Sequence, residues 1–103
     1  MLRFELINSK EMDKYVGNKH AMIIDVRDKA EFNEMHITDA VNIPIERLEA
    51  MYDKMPKDFI YVLYCNGGGT GILAAKELFD RGHITRALLG GINAYDGNYI
   101  ESE

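Results

Sequence analysis

Cys65 is the only cysteine in the sequence, so no disulfide can close within the chain, and a reducing, cytoplasmic setting is expected. The amino-terminal stretch MLRFELINSKEM lacks the long apolar run of a signal peptide or membrane helix, which argues against membrane association. Basic residues never cluster: the formal charge is -5 and the lysines and arginines stand singly, so neither a nucleic acid nor an anionic lipid surface is an expected partner. His20, His36 and His83 have no metal-ligand spacing with one another or with Cys65, so neither a metal nor another cofactor is expected. No internal repeat is present, and the only low-complexity tract is a glycine run. What remains is a chain of 103 residues, 47% hydrophobic, enough for one modest core and one domain over residues 1–103.

Short apolar runs alternate with helical periods along that chain. Leu2 to Ile7 reads as a short strand, followed by a helix opened by an Asn8/Glu11 capping box, with Met12, Tyr15 and Val16 inward and Gly17 as its stop. Ala21 to Val26 (AMIIDV) has the near-continuous apolar character of a strand buried on both faces. Asp28 and Glu31 repeat the capping-box spacing before a short helix carrying Phe32 and Met35. Ala40 to Ile43 is a further extended segment, and Pro44 introduces a helix with Leu48, Met51, Tyr52 and Met55 on one face. Phe59 to Tyr64 (FIYVLY) is the strongest strand signal. A helix from about Thr70 to Arg81 follows, with Ala75, Leu78 and Phe79 inward and Gly82 at its end. Arg86 to Leu89 supplies another strand before a Gly90-Gly91 turn and a short terminal helix. This alternation predicts an α/β sandwich around a mostly parallel sheet.

Between the strongest strand and the longest helix lies YCNGGGTGI, Tyr64–Ile72. Taken alone, a cysteine ending a core strand is a small buried hydrophobe. The glycines change that reading, because so many are tolerated only where the backbone turns tightly or approaches another group closely. In open α/β sheets such a position, at the carboxyl end of a strand and the start of a helix, presents unpaired N–H groups suited to an anion. That anion can be the cysteine's own thiolate, since helix N-termini favour the ionised form and so supply a nucleophile at neutral pH. Competing chemistries lack parts. A P-loop needs Gly-Lys-Ser/Thr, and no lysine stands in the loop; Gly69, Gly71 and Ala74 match a dinucleotide fingerprint, but the position about 20 residues on falls near Leu89 and Gly90, which are not acidic. A cysteine phosphatase or arsenate reductase requires an arginine closing the loop, where Thr70 stands.

Four segments, IIDVRDKAEF (Ile23–Phe32), HITDAVNIP (His36–Pro44), YCNGGGTGILAAKEL (Tyr64–Leu78) and LLGGINAY (Leu88–Tyr95), together resemble, in order and spacing, the single-domain rhodaneses, a sulfurtransferase family. The resemblance covers nearly the whole chain. It implies a three-layer α/β/α sandwich with a five-stranded, mostly parallel sheet. It also implies that Cys65 accepts a sulfane sulfur as a persulfide, cradled by Asn66, Gly67, Gly68, Gly69, Thr70 and Gly71, and passes it to a nucleophile. Donors would be thiosulfate, a persulfide or polysulfide; acceptors would be cyanide, a thiol or a protein. A monomer or weak homodimer is expected.

Asp25, Arg27 and His36 are expected to act as scaffold: Asp25 bonding nearby backbone or a basic side chain, Arg27 pairing with Glu31, and His36 anchoring a loop. The chain departs from the resemblance in its loop, which has no charged side chain where rhodaneses often carry arginine or lysine. Loss of one charge-assisted hydrogen bond weakens a thiosulfate dianion's binding by about 1 kcal/mol or more, which favours less charged donors. Thr70 is expected to offer its hydroxyl to the outer sulfur or to cap the following helix. Tyr95 and Leu89 replace a common tryptophan and acidic residue at packing or rim positions. Two readings therefore follow from the sequence: a sulfurtransferase working through Cys65, or a non-catalytic or redox-sensing module of the same fold that docks a partner.

Overall fold

A computed structural model describes residues 3–103. The β-branched and aromatic runs form the centre of the sheet: β2 (Ala21–Asp25) pairs in parallel with β5 (Ile60–Tyr64), and β5 pairs with β6 (Ile84–Leu88). Edge strands β1 (Phe4–Ile7) and β4 (Val41–Asn42) complete five parallel strands in the order β1-β6-β5-β2-β4. Leu2 lies outside the described residues. Tyr61, Val62, Leu63 and Tyr64 are fully buried, as a central strand covered on both faces requires.

Side-chain alternation along β5 divides the core into two layers. Tyr61, Leu63 and Cys65 face Leu48 of α3 (Ile45–Met51) and Ala74, Ala75 and Leu78 of α4 (Gly69–Asp80). Val62 and Tyr64 face the opposite layer with Met12 of α1 (Ser9–Asp13), Ile37 and Ile92. The three-layer α/β/α sandwich is thus present, with Cys65 on the α3/α4 side.

Local signals explain the helix starts. Both halves of the Asn8/Glu11 capping box form, at 2.9 and 3.0 Å. At α2 (Lys29–Glu34) the Glu31 carboxylate accepts from the Asp28 N–H at 3.3 Å. α3 follows Pro44 and ends in a 3-10 turn over Tyr52–Lys54. Among the described residues no helix is long and apolar enough to cross a membrane.

Two expectations are corrected, and a further small sheet appears. Phe79 is 38% exposed at the edge of α4, near Phe4 with ring centroids 6.0 Å apart, rather than facing inward. The terminal helix is only a 3-10 turn at Ile92–Ala94. Beyond it, β7 (Ile100–Glu101) pairs antiparallel with β3 (His36–Ile37) in a second small sheet.

Candidate functional site

The site grows from the end of β5. Gly68 adopts φ +107°, a left-handed conformation that L side chains rarely take, and this turn aims its N–H at the Cys65 sulfur, 3.1 Å away. α4 begins immediately afterwards, so the N–H groups of its first turn have no intrahelical partners and its positive dipole end lies beside the cysteine. Gly71 allows that close start: a Cβ there would lie 3.0 Å from the Tyr64 Cα and 3.1 Å from the Cys65 nitrogen. Gly67 and Gly69 are different, because a Cβ at either would meet nothing within 4 Å. Thr70 is exposed, and the cap position belongs to Gly68, so Thr70 does not cap α4.

A second turn holds the loop from the side of β6. The Ile92 N–H donates to the Cys65 carbonyl at 2.9 Å, and the Asn93 N–H donates to the Asn66 carbonyl at 3.0 Å. Gly91, at φ +61°, makes this possible, since a Cβ on it would collide with the carbonyl oxygens of Cys65 and Asn66. These anchors, Gly91, Ile92 and Asn93, were not foreseen as site residues; the Gly-Gly pair after a strand end was the only signal in the sequence. Leu89, just before the pair, is 57% exposed at the rim. Tyr95 packs beside the Tyr64 layer, and its hydroxyl donates to Asp13 Oδ1.

From the β2 side, Asp25 and Arg27 form a buried chelate. Arg27 donates from Nη2 to Asp25 Oδ2 at 2.7 Å and from Nε to both oxygens at 3.1 Å, while its backbone N–H reaches Oδ1 at 2.8 Å. Burial by itself lowers the Arg27 pKa, but the hydrogen bonds and charge of Asp25 outweigh it and hold the guanidinium raised and cationic. Asp25, not Glu31, is therefore the partner of Arg27. Glu31 instead accepts from Asn66 Nδ2 at 2.7 Å, while Asn66 Oδ1 accepts from Arg27 Nη1 at 3.3 Å. The Asn66 amide thus bridges a cation and an anion, which fixes the first residue after Cys65.

His36 is buried against α2. It stacks on Phe32 with centroids 3.8 Å apart, and its Nδ1 lies 2.7 Å from the Phe32 carbonyl. The Tyr64 hydroxyl accepts from the Ile37 N–H at 3.0 Å, and burial, reinforced by Asp25, raises its pKa so that it stays a neutral phenol. Two surface depressions, of about 290 and 360 Å³, lie beside α1, and neither is lined by Cys65. The cysteine loop is bounded by Arg27, which donates to Asn66 from the β2 side, and by the Gly90-Gly91 turn.

The three layers and the five-stranded parallel sheet place the chain among small α/β/α sandwich domains. The rhodanese-like domain family matches residues 8–98, and the chain belongs to it. It is 32% identical over 103 residues to an adenylyltransferase and sulfurtransferase MOCS3 of Drosophila sechellia, aligned over 91% of this chain but 23% of that protein. It is 24% identical to the thiosulfate sulfurtransferase GlpE of Coxiella burnetii, over 99% of this chain and 96% of that one. A solved rhodanese-related protein of Thermoplasma volcanium superposes with a TM-score of 0.84 at 25% identity, covering 96% of this chain and 99% of the other. A tRNA sulfurtransferase of Desulfurococcus amylolyticus, 32% identical over 84% of this chain, is matched over only 17% of its length. This chain spans less than a quarter of those two longer relatives.

Proposed function

We propose that residues 1–103 form one sulfurtransferase domain in which Cys65 carries the transferred sulfur. The observation that supports this most directly is the Gly68 N–H held 3.1 Å from the sulfur by a left-handed turn at a helix start, a geometry that stabilises negative charge on sulfur. In the loading step the Cys65 thiolate attacks the outer sulfur of the donor. The Sγ–S bond forms, the donor's S–S bond breaks, and sulfite or the donor's thiolate leaves with the bonding pair. The persulfide anion so formed lies at the start of α4, where the Gly68 N–H already meets Sγ and the first-turn N–H groups have no intrahelical partners. In the second step cyanide or a thiolate attacks the outer sulfur, and the Cys65 thiolate departs.

Asn66, Gly67, Gly68, Gly69, Thr70 and Gly71 form the cradle; Asp25, Arg27 and His36 hold it in place. With no cation in the loop, persulfides and polysulfide suit it better than thiosulfate. A protein acceptor is a reasonable destination, since relatives named sulfurtransferases carry this domain within longer chains. A second reading, a docking or redox-responsive module, is favoured by the same uncharged loop. Intact mass after incubation with thiosulfate or a small persulfide, followed by cyanide and a thiocyanate assay, separates the two. Sulfurtransfer gives one added sulfur that cyanide removes and that is absent in Cys65→Ala; no loading of a reduced Cys65 by either donor overturns it.

A further inference from the structure

We propose that Glu31 is a specificity-determining residue, whose carboxylate, bonded to Asn66 beside the sulfur, discriminates against anionic reagents approaching Cys65. Its biological meaning, selection among sulfur donors by charge, rests on the sulfur-transfer reading above. The electrostatics itself does not.

The carboxylate is fixed at both oxygens. Oε1 accepts from the Asp28 N–H at 3.3 Å and Oε2 from Asn66 Nδ2 at 2.7 Å, so the side chain is tied to its own helix start and to the loop. The Asn66 hydrogen bond also holds the Glu31 pKa below its ordinary value, against a smaller opposing effect of burial, so the group is ionised at every pH at which a thiolate is used. Arg27 is near enough to act on the Glu31 charge, but it is committed to Asp25. Arg27 is chelated by Asp25, the pair being formally neutral, and it reaches the loop only through the far end of the same Asn66 amide. Residues 66–71 contain no cation, and among the described residues no basic side chain forms an ion pair with Glu31. The formal sum over Asp25, Arg27 and Glu31 is one negative charge, held against the side chain of Asn66, the residue that follows Cys65. At a watery mouth such a charge disfavours a monoanion by on the order of two- to threefold at low salt, and a dianion by the square of that.

The test compares two alkylating reagents of nearly equal shape, neutral iodoacetamide and anionic iodoacetate, on Cys65, the only thiol. In each case the thiolate displaces iodide and a carbon–sulfur bond forms, so the ratio of rates cancels any change in thiol ionisation or exposure. Glu31→Gln keeps the acceptor oxygen and removes the charge; Glu31→Ala is a second variant, and Glu34→Gln removes an exposed neighbouring charge for comparison. The expected result is an amide-to-acid ratio that falls about two- to threefold in both Glu31 variants at about 10 mM salt, converges with wild type near about 1 M salt, and is unmoved by Glu34→Gln. An unchanged ratio in the Glu31 variants, an equal effect from Glu34→Gln, or a Cys65 inert to both reagents overturns the proposal. A shifted ratio in a protein that no donor loads would keep the charge gate and remove sulfur transfer; donor loading with an unshifted ratio would do the reverse.

Discussion

The Ile92 N–H is bonded to the Cys65 carbonyl at 2.9 Å, so the residue that ends the central strand is gripped by a turn 27 positions later in the chain. With the Gly68 N–H on its sulfur, Cys65 is constrained at both backbone and side chain. The orientation of the thiol is therefore a property of two turns, each dependent on a glycine at positive φ.

Those glycines are not equivalent. Gly68→Ala and Gly91→Ala place a side chain at φ +107° and +61°, the second into the Cys65 and Asn66 carbonyls. Each is expected to cost about 1–3 kcal/mol or more in urea unfolding. Gly67→Ala and Gly69→Ala meet nothing within 4 Å, and their stability should stay within about 1 kcal/mol of wild type.

Asp25 and Arg27 are 0% and 6% exposed at their side chains. Removing either leaves a buried charge unpaired, so Asp25→Ala and Arg27→Ala should each destabilise by about 3–5 kcal/mol. The double variant should lose clearly less than the sum of the two, measured by a denaturant double-mutant cycle.

Thr70 is exposed in the first turn of α4 and is not needed as a cap. Thr70→Arg adds the missing loop cation. Thiosulfate loading of Cys65 should rise about five- to tenfold, at a cost of about 0.3–1 kcal/mol in stability from the helix dipole. Loading rates at fixed thiosulfate and a thermal melt check both parts.

Burial lowers the pKa of His83, whose ring lies edge-on to Tyr61 with centroids 5.3 Å apart. The unfolded chain then binds this proton more readily than the folded one. Stability from His83 is fully present above about pH 6.5 and is lost as pH falls below it, with a slope of at most about 1.4 kcal/mol per pH unit. His83→Phe should flatten that slope, and because the buried Nδ1 has no hydrogen-bond partner among the described residues, it should cost little at pH 7.5. Urea midpoints between pH 5 and 7.5 give the comparison.

Much of this was readable from the sequence where a single pattern dominates. AMIIDV and FIYVLY are apolar on both faces, and strands buried on both faces are what they form. The helix expected from Thr70 to Arg81 runs from Gly69 to Asp80. The cysteine loop was placed at the strand end for the same reason. What escaped depends on contacts between distant segments. Spacing suited Glu31 to Arg27, yet Asp25 has the better geometry and Asn66, 35 residues on, takes Glu31. Strands of two residues, such as β3 and β7, are too short to carry a period. Nor does a run of glycines say which members are sterically required.

The clamp at Gly91, Ile92 and Asn93 also sets an order of events during synthesis. Chain growth delivers Cys65 before its backbone anchors, and parallel pairing between distant strands is slow to form. Until Gly91, Ile92 and Asn93 have left the ribosome and docked, the Cys65 and Asn66 carbonyls lack the partners that hold the loop.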